Sequence, residues 1–272
     1  MKRMCRVLKV SRSGYYAWRH RPPSQREQVN QALLAQIRAA HKTSRQTYGS
    51  PRIHAYLRRK GVFCSRNRVA RLMQKHQIAA VKRPRRYPVT TKQCFGARTA
   101  PNLLNQDFSA QVPNQKWVTD ITCIDTAEGW LYLASVLDLY SRRVVGWAMA
   151  KQMDTHLVDQ ALKMAWRTRR PAARLVHHSD RGSQYTSDAY LGYLSDLGCT
   201  VSMSRTGNCF DNAAMESFFA TLKTECVRSQ FGTRAQARTV IFEYIESWYN
   251  RQRLHSTLGY LSPVEFEQTS GH

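Results

Sequence analysis

Acidic residues are nearly missing from the start of this chain: its first 110 residues contain only Glu27 and Asp107, against 25 Lys and Arg. Long apolar runs are also missing. No stretch approaches the roughly 18 uncharged apolar residues of a membrane span, and no apolar run follows the basic N-terminus, so neither a membrane segment nor a signal peptide is expected. The seven cysteines are odd in number and contain no C-x-x-C pair, which suggests neither a disulfide framework nor a paired-cysteine zinc knuckle. Free thiols fit a reducing compartment, so the expected location is the cytoplasm.

Apolar residues make up 42% of the 272 positions, which excludes a disordered chain and allows one large domain or two ordinary ones. The net charge is +24, and its distribution is informative. Residues 111–272 hold 17 bases and 16 acids, so nearly all the excess lies in the first two-fifths. Such a segment attracts polyanions by displacing condensed counterions from nucleic acid. Its bases are interleaved with helical apolar patterns, unlike those of a solubilising tail.

Residues 4–19 read as two short helices, with Ser11 as an N-cap before Tyr15, Tyr16 and Trp18. Residues 28–41 read as a third, with Leu33, Leu34 and Ile37 on one side. Residues 48–80 are the clearest unit. Pro51 opens a helix carrying Ile53, Tyr56 and Leu57, and Gly61 stops it. Ser65 caps a second helix with Val69, Leu72 and Met73 inside and Arg66, Arg68, Arg71 and Lys75 outside. Two short helices with a basic second member read as a helix-turn-helix, although an ordinary helical hairpin with a solvated basic face has the same pattern. The expected division is a basic helical DNA-binding region over 1–80, a basic linker over 81–110 containing Lys82, Arg83, Arg85 and Arg86, and a larger core domain over 111–272.

Beyond the linker the period changes. Residues 117–124, 130–140 and 143–150 read as three strands of an antiparallel meander. A helix follows over 157–166, a strand over 174–178, a helix over 187–197 capped by Ser187, a strand over 200–204, and helices over 212–226 and 234–250. That order predicts an α/β class, and by analogy it resembles a ribonuclease H-like core, a mixed sheet flanked by helices, behind a small all-α helix-turn-helix domain.

Three acids stand out. Asp120 interrupts an otherwise uncharged strand, Asp180 follows the C-terminal end of a short one, and Glu216 borders the apolar stripe Met215, Phe218, Phe219 and Leu222. Carboxylates brought together without a cation repel one another, whereas with two Mg²⁺ ions they form a hard oxygen cage suited to phosphoryl transfer. Asp138 is expected in a structural ion pair with the neighbouring Arg142 and Arg143, Asp211 as the cap of the Glu216 helix, and Glu225 outside the site. His177 and His178 lack a second ligand cluster and read as supporting or strand-edge residues rather than zinc ligands.

The stretches Trp117-Val118-Thr119-Asp120-Ile121-Thr122, His177-His178-Ser179-Asp180-Arg181-Gly182 and Asp211-Asn212-Ala213-Ala214-Met215-Glu216 resemble bacterial insertion-sequence transposases of the second-reading-frame (OrfB) type, family three. So do Tyr48-Gly49-Ser50-Pro51-Arg52-Ile53 and the C-terminal Tyr249-Asn250-Arg251, Arg253, His255-Ser256 and Leu258-Gly259-Tyr260. Retroviral integrases share the fold and triad. The resemblance implies a DDE transposase with the triad Asp120, Asp180 and Glu216. It implies two Mg²⁺, with Mn²⁺ as a substitute, and cleavage and joining at terminal inverted repeats without a covalent protein–DNA intermediate. It also implies Lys223 beside the DNA end, with Arg52 and the basic residues named above on DNA phosphates. The implied partners are double-stranded DNA (terminal repeats and target), a second copy of the chain, and the upstream OrfA product, separate or fused, in a bacterial cytoplasm near the nucleoid. This chain shows no heptad repeat of that upstream segment and reads as the isolated second-frame product or a shortened copy. Two alternatives remain: a DNA-binding regulator of transposition, and a ribonuclease H or resolvase-type nuclease on the same fold.

Overall fold

The computed structural model describes residues 1–81, 99–172, 174–205 and 208–269. The chain divides into two compact units, Met1–Ala80 and Val81–His272.

The first unit is helical. Helices α1 (Lys2–Val7) and α2 (Arg12–Arg19) precede α3 (Gln25–Thr43), α4 (Ser50–Arg59) and α5 (Arg66–Lys75). Serines start three of them: Ser11, Ser24 and Ser65 accept from the amides of Gly14, Glu27 and Arg68. At α4 the N-cap is Gly49 without a side-chain bond, and Pro51 supplies the preset φ of the first turn. Leu33, Leu34 and Ile37 of α3, Ile53 and Leu57 of α4, and Val69, Leu72 and Met73 of α5 form the buried centre with Tyr48. Gly61, at φ 77°, turns the chain between α4 and α5. Lys82, Arg83, Arg85 and Arg86 lie outside the described residues.

The linker expected to reach residue 110 ends sooner. The Leu103 amide donates to Ser202 Oγ, the Met203 amide to the Pro101 carbonyl, and Leu104 is 1% exposed. Residues 101–104 are therefore part of the second unit, because burying Leu104 ties them to it.

The second unit is built on strands β1 (Lys116–Ile124), β2 (Leu131–Asp138), β3 (Val144–Ala150), β4 (Val176–Ser179) and β5 (Thr200–Met203), in the order β3-β2-β1-β4-β5. The first three are antiparallel, and β4 and β5 run parallel to β1. Helix α6 (Thr155–Arg169) carries the crossover to β4 and α7 (Asp188–Asp196) the crossover to β5. Both pack on one sheet face, with Trp117, Val136, Val145, Leu157, Leu162 and Leu194 in one core. Helices α8 (Ala213–Glu225), α9 (Arg234–Glu243) and α10 (Pro263–Thr269) complete the unit, with a π-helical turn Tyr244–Tyr249 extending α9. This is the expected ribonuclease H-like mixed sheet flanked by helices. No helix among the described residues is long and apolar enough to cross a membrane.

Gly146 shows how closely α6 lies on β3. A Cβ there would sit 2.3 Å from the Ala161 carbonyl oxygen and 2.6 Å from the Ala165 amide nitrogen, both rigid helix backbone. Gly146→Ala should therefore destabilise the unit by about 3 kcal/mol, the upper range for overpacking. A denaturant titration checks this, and a cost near zero would mean that α6 can shift freely.

Two acids have partners other than those expected. Asp138 is fully buried and pairs with Arg169 at 3.2 Å, not with Arg142 or Arg143, and it also accepts from the Asn114 and Tyr140 amides. Arg169 reaches it from the end of α6 and also holds Glu267 of α10, which Arg143 and Ser141 grip as well. Asp211 does not cap α8. A 3-10 turn, Cys209–Asn212, enters that helix, which makes Asn212 the N-cap. Asp211 instead binds the Arg205 amide and guanidinium at 2.8 to 3.0 Å, and this holds its carboxyl well below the usual range.

Candidate active site

Strand register brings the first two acids together. Val118 of β1 lies opposite His178 of β4 in parallel pairing. Two residues further along each chain are Asp120, midway along β1, and Asp180, just past the end of β4, on adjacent parallel strands about 4.8 Å apart. Trp117 faces the α6 core, so alternation turns Asp120 to the opposite face.

Helix α8 comes to that face. Asn212, at its start, donates from Nδ2 to the carbonyl of Thr119 at 3.3 Å, one residue before Asp120. Met215, Phe218, Phe219 and Leu222 are buried, and Glu216 lies exposed in the first turn.

Electrostatics report the convergence. Burial pushes the Asp120 carboxyl well above its ordinary value, the negative charges of Asp180 and Glu216 push it further, and the Ile121 amide and the Lys223 ammonium oppose the rise. Asp180 is also raised by burial, although its Oδ1 accepts from the Gly182 amide at 2.9 Å. A Cβ on residue 182 would press to 3.0 Å from that same oxygen, so glycine keeps the turn tight. Three acids and Lys223 thus share one field, yet no group of three His, Cys, Asp or Glu among the described residues stands at metal-ligand spacing.

Neighbouring groups stay out of that cluster. His177 and His178 are interior, because β4 lies between β1 and β5 rather than at the sheet edge. His177 meets the Tyr190 hydroxyl, and His178 is bracketed by Ser202 and Ser204. Burial lowers them to about 3 and about 4, so both are neutral near pH 7. Burial likewise raises the Cys123 thiol, which stays protonated. Tyr185 lies in the core with Trp117, its hydroxyl 3.3 Å from Thr119 Oγ1.

Glu225 lies at the far end of α8 and is removed from the cluster. Its carboxylate accepts from Arg253 Nε and Nη2 at 2.9 to 3.0 Å and from the Tyr244 hydroxyl at 3.0 Å. Asn250 bonds both ways to the Val144 backbone, at 3.0 and 2.9 Å, like one more residue of sheet at the edge of β3. The C-terminal motif residues are thus partners of α8 and the sheet. Sequence reasoning had singled out that motif without finding these contacts, and only its spacing of polar residues hinted at them.

In the first unit, Arg66, Arg71 and Lys75 are exposed on α5. Arg68 points both Nε and Nη2 at Asn30 Oδ1 of α3, and Arg52 lies over the Tyr48 ring at 5.7 Å. A groove between α3 and α5 is lined by Arg26, Asn30, Arg68, Arg71 and Lys75.

Known proteins match both units. Residues 28–87 match the model of an HTH-like domain, and residues 110–209 and 216–270 match two models of the integrase core domain. The insertion element IS600 uncharacterized 31 kDa protein of Shigella sonnei is 47% identical over 266 residues, 97% of each chain. The transposase InsF for insertion sequence IS3A of Escherichia coli (strain K12) is 45% identical over 271 residues, 98% of this chain and 93% of the relative. Among solved structures, a simian T-cell lymphotropic virus intasome chain is similar at 14% identity and TM-score 0.48, covering 79% of this chain and 70% of that one. Near-full-length identity at this level, over a helix-turn-helix unit and a sheet of this topology, places the chain in the IS3 family of insertion-sequence transposases, polynucleotidyl transferases with an integrase core.

Proposed function

We propose that Asp120, Asp180 and Glu216 are the catalytic carboxylates of this transposase and that they hold two Mg²⁺ ions, with Mn²⁺ able to replace them. The observation that carries this reading is geometric: strand register sets Asp120 level with Asp180, and Asn212 ties the start of the Glu216 helix to the Thr119 carbonyl, one residue from Asp120. Like charges brought together this way repel, and a bound cation removes the repulsion. The donor set fits Mg²⁺ because it is all carboxylate oxygen, while His177 and His178 are buried inside the sheet against Tyr190, Ser202 and Ser204 and the Cys123 thiol stays protonated. Bound there, such ions supply activation of an attacking hydroxyl and stabilisation of the leaving oxygen at a phosphodiester.

The chain's own residues do the positioning. Asp120 and Asp180 are fixed by β1 and β4, while Glu216 stands on a helix end and can turn inward. Lys223 contacts a phosphate of the DNA end. Arg66, Arg71 and Lys75 of α5 bind backbone phosphates of the terminal repeat, Arg52 and Arg68 border that surface, and the basic run from Lys82 to Arg86 follows the same strand. Residues 1–80 serve end recognition and residues 111–272 catalysis. Strand transfer exchanges one phosphodiester for another, so no bond to the protein is required. Two ends must meet, which makes the working assembly at least a dimer in the cytoplasm, with the upstream OrfA product as a candidate partner.

The test uses a labelled duplex carrying the element's terminal repeat, with Mg²⁺ or EDTA, and compares wild type with Glu216→Gln. Nicked and joined products that need Mg²⁺ and vanish in Glu216→Gln, with DNA binding kept, are expected. Nicking without joining would indicate a nuclease. Binding without cleavage, even when the upstream product is added, would indicate a regulator.

A further inference from the structure

Phe210 is 67% exposed, an unusual position for a phenyl ring on a well-anchored turn. It belongs to the 3-10 turn Cys209–Asn212 that opens α8, and no other ring among the described residues packs on it. Its backbone is held on both sides. The Phe210 amide donates to Asn208 Oδ1 at 3.1 Å, and the next residue, Asp211, is fully buried and gripped by Arg205. Two residues on, Asn212 is bonded to the Thr119 carbonyl beside Asp120. The Cα atoms of residues 210 and 212 are at most about 7.6 Å apart, so the turn that carries the ring is tied to the strand that carries Asp120.

The surroundings indicate what covers it. Arg205 is half-exposed, and Arg181, next to Asp180, is fixed by a bond from its Nε to the Ser204 carbonyl. A greasy partner would gain little from two guanidinium groups, whereas a nucleic acid strand offers phosphates to them and a flat π face to the ring. We infer that Phe210 is a stacking platform for an unpaired base at the DNA end, holding that nucleotide out of the duplex so that the adjoining phosphate reaches the carboxylates. The inference rests on the proposed catalytic site and adds a nucleotide-binding subsite to it. The pedestal matters as much as the ring. A phenyl group on a loose loop would lose rotamer and backbone freedom on stacking, whereas here most of that freedom is already gone.

The test uses the full chain and terminal-repeat duplexes with 2-aminopurine replacing single bases beside the scissile bond, in EDTA so that nothing is cut. Wild type and Phe210→Trp should raise the emission at one position, and Phe210→Ala and Phe210→Leu should reduce that rise severalfold without changing Tm. With Mg²⁺, Phe210→Ala should cut a fully paired end ~10-fold more slowly than wild type, the loss of one base–aromatic stack, and should cut an end already frayed by a mismatch at the wild-type rate. The inference is overturned if wild type shows no position-specific rise, if Phe210→Ala keeps it, or if the variant is equally slow on paired and frayed ends. A change in oligomeric mass with the emission rise intact would overturn it too, assigning the ring to a contact between copies. Failure of the carboxylate reading is separable: it shows as Mg²⁺-dependent cutting that survives Glu216→Gln, and the metal-free emission does not depend on it.

Discussion

Asp120→Asn should make the metal-free protein more heat-stable while reducing DNA cleavage by about 10³-fold, the scale of losing metal-assisted charge stabilisation. The two effects share one cause. Burial and the charges of Asp180 and Glu216 raise the Asp120 carboxyl far above its ordinary value, so its ionised form is costly in the folded state. A group with a raised folded pKa binds protons more tightly when folded. Its cost is absent below the unfolded pKa, grows as pH rises toward the folded value, and is complete above it. The gain from asparagine should therefore vanish at acid pH and be largest at alkaline pH, with Tm rising about 2–4 °C for each kcal/mol relieved. Melting curves in EDTA across pH measure this. Mg²⁺ should then raise the wild-type Tm by ligand linkage and raise the variant much less. A variant that melts below wild type at about pH 8 in EDTA would defeat the argument, since a buried repulsion cannot be relieved at a loss.

Arg253→Met should cost about 3–5 kcal/mol, because it strips the main counter-charge from a buried carboxylate. Both side chains of the Glu225–Arg253 pair are only 5% exposed, and Arg253 spans both carboxylate oxygens. After the substitution Glu225 keeps the Tyr244 hydroxyl at 3.0 Å and the Trp248 indole nitrogen at 3.4 Å, which cannot balance a full charge. Removing both members together should cost less than the sum of the single losses, since an apolar pair leaves no orphaned charge. Denaturant titrations of the two singles and the double variant measure the coupling. Strictly additive costs would show that the pair is not acting as a unit. Because α8 runs from Ala213 to Glu225 and carries Glu216, weakening this end should lower cleavage as well as stability.

Much of the architecture is legible in the sequence. The alternation around Trp117 and the apolar stripes of α3 and α5 were legible because burial repeats with the local backbone period. Ser11, Ser65 and Ser187 were readable as caps because an N-cap is a contact between residues three apart. The pieces that escaped are too short for a period. The 3-10 turn Cys209–Asn212 and helix α10 show no repeating stripe, and missing that turn is what misplaced Asp211 as the α8 cap. The partner of Asp138 escaped for a different reason. Arg142 and Arg143 are its neighbours in sequence, but β2 ends there and the chain turns, and the arginine that reaches it comes from 31 residues away at the end of α6.

The sequence by itself determined the order of the five strands and of the longer helices, the concentration of positive charge in the first 110 residues, and the motifs around Asp120, Asp180 and Glu216. Those are properties of neighbours along the chain: side-chain period, capping chemistry, composition. Only the tertiary structure decided which charges share a field. The parallel pairing of β1 with β4 sets Asp120 level with Asp180, and α8 brings Glu216 and Lys223 to the same face while carrying Glu225 away into the grip of Arg253. Electrostatic energy depends on distance in space and on burial, and neither is recorded in spacing along a chain.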